Sequence, residues 1–435
     1  MRKTLPIALA LILAACGDHA RLQVAQGIGP APELPPPVRT PIPTVKVAEA
    51  VGWAPGAAPA AAPGLRVTPF AQGLDHPRWL AVLPNGDVLV AETNAPPRPE
   101  DGKGIKGWFF KQYQKKAGAG VPSANRITLL RDADGDGTAE TRSVFLSGLN
   151  SPFGMGLSGS TFYVAATDAV LAFPYSEGAT TITAVPRRLT ELPGGLLNHH
   201  WTKSLAVSPD GQRLFVGIGS NSNVGENGLE KELDRAQVWI IDPATGQHRT
   251  FATGLRNPVG IDFEPTTGAL WVAVNERDEL GSDLVPDYMT HVEDGGFYGW
   301  PYSYFGRIVD ERIGAEERRP DLVTRAIVPD YALGPHTGSL GLTFADGNTL
   351  GAPYASGAFI GQHGSWNRNP RSGYKVIFVP FANGRPSGPP VDVLVGFLTP
   401  DGKAQGRPVG VAIDRRGALL VADDVGNTVW RVTRQ

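Results

Sequence analysis

The chain has one cysteine in 435 residues, Cys16, so no internal disulfide can form. Without a Cys-x-x-Cys-His there is no covalently attached c-type haem. No Gly-x-Gly-x-x-Gly leads from a strand into a helix, which excludes a visible Rossmann nicotinamide site, and no Gly-x-Ser-x-Gly elbow is present. Outside Lys103–Lys116 basic residues are not clustered with aromatics, and the formal net charge is only −2, which argues against a nucleic-acid partner. Long stretches of helical periodicity are missing as well. Glycine and proline are abundant, with 54 and 39 copies, as expected of many short strands joined by tight turns.

The N-terminus reads as a targeting segment over residues 1–16. Arg2 and Lys3 supply a positive start, and Leu5 to Leu13 an apolar stretch too short to span a bilayer. Leu13-Ala14-Ala15-Cys16-Gly17 then has the form of a bacterial lipobox. The only cysteine falls at the one position that needs it, so Cys16 is expected to carry a lipid anchor. Gly17 after the cysteine favours the outer membrane, periplasmic face. Residues 17–64 are rich in proline and alanine (PAPELPPPVRTPIPT, WAPGAAPAAAPG). That composition predicts an extended tether without ordered contacts.

From residue 65 to 435 one unit recurs: a polar lead-in, a short apolar strand, a turn and a second apolar strand. The copies start at His76, Ser151, His199, Arg256, Thr337 and Arg407. Pro-Asn-Gly-Asp, Pro-Asp-Gly and Arg-Arg-Gly sit between strands as hairpin turns. Six copies predict an all-β, six-bladed β-propeller with four-stranded blades, and a strand near Leu65 to Phe70 would complete the last sheet. A β-sandwich would not explain the repeated unit.

Polar lead-ins of propeller strands lie at one mouth of the channel, so they are the site candidates. The best is Asn198-His199-His200-Trp201-Thr202-Lys203, where a histidine can accept a proton near neutral pH. Next come Arg256-Asn257, donors suited to developing charge. The acidic run Glu276 to Asp283 offers oxygen ligands to a metal through Asp278, Glu279 and Asp283. Around His363-Gly-Ser-Trp-Asn-Arg368, Arg368 and Trp366 offer a cation and a flat surface; Arg407 opens the last copy. Asp132, Asp134, Asp136 and Glu140 have the spacing of a calcium loop, although Asp-Gly is also turn chemistry. Lys103 to Lys116 is basic and aromatic, and reads more simply as a solvated loop.

The run GLRNPVGIDFEPTTGALWVAVNERDELGSD from Gly254, GGFYGWP from Gly295 and GQHGSWNR from Gly361 resemble the glucose/sorbosone dehydrogenase family. That resemblance implies a six-bladed propeller carrying pyrroloquinoline quinone (PQQ) and calcium. It implies His200 as general base, with His199 as the one-residue alternative, and Arg256 and Asn257 against the cofactor. Arg368, Arg407 and Trp366 are the further cofactor candidates. The family holds calcium partly through carbonyls in a Glu-x-Gly-Pro stretch, which here reads Glu276-Arg277-Asp278-Glu279. The expected activity is oxidation of a sugar, aldose or sugar-derived aldehyde, with electrons passed to a separate acceptor, a cytochrome or a quinone. A calcium-dependent propeller lactone hydrolase and a non-catalytic binding propeller are the competing functions.

Overall fold

The computed structural model describes residues 17–40, 43–97 and 111–435. Cys16 and most of the basic Lys103–Lys116 stretch lie outside these residues. Six sheets, antiparallel except where Gly296–Phe297 pairs parallel with His248–Thr253, follow one another along the chain. Their innermost strands are Pro77–Val82, Gly154–Ser158, Lys203–Val207, Pro258–Phe263, Ser339–Phe344 and Pro408–Ile413. Each of these lies against the next, and the last lies against the first, so the six blades close a ring around a channel. The fold is the expected six-bladed propeller.

The second strand of a blade is sandwiched between neighbouring blades, so both of its faces are apolar. Val88–Glu92, Leu214–Ile218, Leu270–Val274 and Leu419–Asp423 are buried along their whole length. The hairpin before Val88 shows the local cause of the strand reversal. Gly86 adopts φ +94, which a side chain would strain, and Asn85 Nδ2 donates to Asp87 at 2.7 Å. Ring closure comes from the first long strand. Leu65–Gln72 pairs antiparallel with Thr428–Arg434, so the two ends of the propeller share one sheet.

Residues 17–64 depart from the expected contact-free tether. They form a strap across the channel mouth. Ile28–Gly29 adds a strand to blade four, and Ala60–Ala61 adds one to blade five. Between these, Val38 N–H donates to Leu280 O at 3.0 Å and Lys46 N–H to Trp366 O at 2.6 Å. Trp53 packs edge-on against Phe397 and Trp430. The composition argument failed because it asked what the segment could bury by itself. The strap instead satisfies its backbone on groups the propeller already exposes. Among the described residues, no helix is long and apolar enough to cross a membrane.

Candidate functional site

The residues just before the innermost strands and just after the second strands meet at one end of the channel. His200 is held there by Ser220. Its Nδ1 lies 2.9 Å from Ser220 O and 3.0 Å from Ser220 Oγ, and that hydroxyl already donates to Ser222 O. A carbonyl can only accept, so Nδ1 carries the proton and Nε2 keeps the lone pair. Burial, then Arg256 and His199, push the His200 imidazole well below the usual histidine range. The ring is therefore neutral at neutral pH, the form a base needs. Arg235 fixes this corner, donating to Asn198 Oδ1, His200 O and Ser220 O. Gly219 is required for the close approach: a Cβ there would lie 2.4 Å from Asn257 Oδ1 and 2.5 Å from His200 Cβ. Asn257 Oδ1 is buried without a partner.

Arg256, expected against the cofactor, is engaged by protein on every nitrogen. Nε donates to Asn223 O, Nη1 to Asn275 O and Glu276 O, and Nη2 to Asn223 Oδ1 and Asp278 Oδ2. It frames the loops beside His200 and has no donor left for a ligand. The two terminal nitrogens of Arg368 are occupied, by Pro370 O, Leu22 O and Asp283 Oδ1. Carbonyls and acids of the protein satisfy every donor of Arg256, whereas Arg368 Nε is buried without a partner.

The expected calcium ligands of the acidic run are also engaged. Asp278 accepts from Asn367 at 2.7 Å and from Arg256 at 3.3 Å, and His336 stands 3.6 Å away. Burial opposes its charge, but His336 and Arg256 outweigh that and hold the carboxyl below its usual range. Asp283 accepts the strap N–H groups of Arg21 and Leu22. The Leu280 and Gly281 carbonyls accept from Val38 N–H and His336 Nε2. A divalent cation does not fit a set of oxygens already facing Arg256, Arg312 and His336. Glu279 is exposed on the rim. Carboxylates do converge elsewhere: one oxygen from each of Asp132, Asp134, Asp136 and Glu140 lies within 4.8 Å of the others, on a surface turn far along blade one, with Arg416 paired to Asp132 at 2.9 Å.

A second cluster lies on the arc of blades five, six and one. Asp424 receives Arg78 Nη1 at 2.7 Å and His363 Nε2 at 2.8 Å, with His76 Nε2 at 3.6 Å. Burial would raise its pKa, but His363, His76 and Arg78 outweigh it and hold the carboxyl well below its usual range. Burial pushes His363 down to about 4 against the pull of Asp424. Arg407 lies with its guanidinium carbon 5.0 Å from the Tyr374 ring centroid. Here two neighbouring donors are left over: Arg78 Nε and Arg407 Nε are buried without partners, as Arg235 Nε and Arg368 Nε are elsewhere in the site. A cavity of about 590 Å³ opens beside His76 and Asp424, with strap residues Ala50 to Gly52 as one wall. Sequence reasoning passed over His76, Arg78 and Asp424, although the first two open the first repeat copy and so occupied a lead-in position. Trp300 is buried with Nε1 on Asn223 O, a packing role.

Residues 59–293 and 321–435 match the family model described as TrAA12-like. The chain belongs to that family, whose relatives include PQQ-dependent sugar dehydrogenases. It is 24% identical over 358 residues to the PQQ-dependent pyranose dehydrogenase of Coprinopsis cinerea, covering 73% of this chain and 44% of that one. It is 32% identical over 243 residues to an uncharacterized protein of Borreliella burgdorferi, covering 55% and 62%. The chain thus spans less than two thirds of the length of either relative. Among solved structures, the holo PQQ domain of the Coprinopsis enzyme superposes with a TM-score of 0.68 at 21% identity, covering 89% of this chain and all of that domain. The calcium structure of a Trichoderma reesei protein of family AA12 gives a TM-score of 0.70 at 20% identity, covering 90% and 99%. At these identities the structural likeness shows the propeller fold.

Proposed function

We propose that the chain is a PQQ-dependent dehydrogenase that oxidises a sugar, aldose or sugar-derived aldehyde and passes the electrons to a separate acceptor. The observation that carries this is a neutral, Ser220-oriented His200 at the same channel mouth as guanidinium donors without partners. PQQ is a planar tricarboxylate, and Arg78 and Arg407, with buried and unpartnered Nε–H groups, fit it. Arg407 over the Tyr374 ring adds a flat cationic surface. When bound, the quinone supplies the two-electron acceptor. His200 Nε2 takes the hydroxyl proton of the substrate, Ser220 holds the ring in the required tautomer, and burial together with Arg256 keeps the imidazole neutral between turnovers.

A metal-dependent hydrolase would need free carboxylates converging on the channel, and Asp278 and Asp283 are both engaged. Calcium fits better as a structural ion on the Asp132–Glu140 turn. Adding PQQ to purified protein and following dye reduction over a panel of sugars tests the activity. Absence of PQQ-dependent dye reduction with every sugar and aldehyde would overturn it.

A lipid on Cys16 is proposed to hold the protein at the cell envelope. Asp18, two residues further on, bonds Ser282 and Thr44 at the channel mouth. At roughly 3.5 Å per residue, the anchor and the mouth would then share one side of the molecule. Cys16→Ser is expected to move the protein from the membrane fraction to the soluble one.

A further inference from the structure

We infer that Trp366 is the platform of a carbohydrate subsite whose outer wall is the N-terminal strap, and that it is not part of the cofactor plane. The inference rests on the dehydrogenase function proposed above and names where a pyranose ring of the substrate would lie.

Trp366 is 39% exposed, and the other tryptophans among the described residues are buried or half-buried. The indole nonetheless stands on a fixed backbone. Its own carbonyl accepts Lys46 N–H at 2.6 Å, the Ser365 carbonyl accepts Tyr374 OH at 2.8 Å, and the Asn367 side chain is tied to Asp278 at 2.7 Å. It lines a cavity of about 370 Å³. One wall of that cavity is the strap, through Val38, Arg39 and Thr44; the other carries Trp366, Asn367 and Glu279.

A pyranose ring offers an apolar C–H face and a fringe of hydroxyls. It is matched by one rigid aromatic face ringed with polar groups, and this cavity has that composition. The arrangement does not suit a tricarboxylate. Glu279 adds negative charge, and Arg312 already donates to Asp310 and to Asp278 O. Neighbouring Arg368 is held by Asp283 and Leu22. The exposed Arg39 side chain is the cation best placed to add hydrogen bonds to hydroxyls. The strap residues of this wall precede residue 59, where the match to the family model begins. This part of the pocket lies outside that match and is placed to set which sugar is accepted.

The test uses the full chain loaded with PQQ and whichever sugar it oxidises fastest. Trp366→Ala should raise KM at least tenfold while kcat stays within about twofold, and Trp366→Phe should recover most of the loss. Arg39→Ala should raise KM about threefold. Two readouts stand apart from turnover. Calorimetric titration of the PQQ-free protein with the same sugar should show at least tenfold weaker binding to Trp366→Ala, and half-saturation by PQQ should not change. Unchanged KM and sugar affinity would overturn the subsite, as would a PQQ half-saturation raised by Trp366→Ala. If the loaded wild type oxidises no sugar, the dehydrogenase function fails separately. Calorimetry with glucose, galactose, fucose and cellobiose then still decides the subsite: heat lost in Trp366→Ala supports it, and no heat with any of them overturns it.

Discussion

The channel mouth has two arcs, and Arg256 on one is used differently from Arg78 and Arg407 on the other. On the arc of blades three and four, Arg256 gives all its nitrogens to carbonyls, Asn223 and Asp278. On the arc of blades five, six and one, Arg407 is buried and Arg78 nearly so, and both keep Nε–H groups without partners, as do Arg235 and Arg368. A saturated buried arginine is framework, because its donors are already satisfied. A buried arginine with an orphan donor bears an unmet desolvation cost that a ligand can relieve. The histidines divide in parallel. His200 is oriented by a neutral serine and presents a lone pair, whereas His363 donates to Asp424. One arc is therefore suited to moving a proton and the other to holding an anion.

The largest effect should come from breaking the frame. Arg256→Ala leaves Asp278 buried beside one fewer cation and strips five acceptors, and loss of one partner of a buried pair costs about 3–5 kcal/mol. A fall of that size in unfolding free energy, read from urea midpoints, is the expected result; an unchanged midpoint would mean Arg256 is not framework. His200→Ala should lower kcat by about a hundredfold or more, the scale of a lost general base, and leave PQQ half-saturation nearly unchanged. His199→Ala should be milder, and the reverse order would shift the base by one residue. A smaller effect concerns pH. The His200 pKa is depressed by burial, Arg256 and His199, so its base form persists into acid. The acid limb of kcat/KM should therefore fall below pH 6.5, the ordinary histidine value. A limb at or above that value would place the titrating base elsewhere.

Much of the architecture was legible because the repeat is written in local chemistry. Pro-Asn-Gly-Asp turns and strands such as Val-Leu-Val-Ala announce hairpins wherever they sit, and Leu65–Phe70 was recognisable as the missing strand of the last blade. The strap was not legible. Its hydrogen bonds go to Leu280, Trp366 and Asn369, partners hundreds of residues away, and its proline-rich composition carries no trace of them. The site was half legible for a related reason. Residue type and position marked Arg256, Asp278 and Arg368 as chemically capable, but whether a donor is free depends on neighbours such as Asn223 and Leu22 that no motif specifies. His76 and Arg78 are legible by the same lead-in logic that selects His200, whereas Asp424 follows a second strand, where no lead-in marks it.

The division between the two arcs is tested most directly by equilibrium titration of PQQ-free protein with PQQ, comparing Arg407→Ala with Arg256→Ala at a temperature where both are folded. Loss of a charge-assisted bond worth about 1.5–3 kcal/mol should raise half-saturation roughly tenfold or more in Arg407→Ala. In Arg256→Ala it should stay within about threefold. An Arg407→Ala protein that binds PQQ like the wild type, beside an Arg256→Ala protein that does not, would contradict the assignment of the anion to the arc of blades five, six and one.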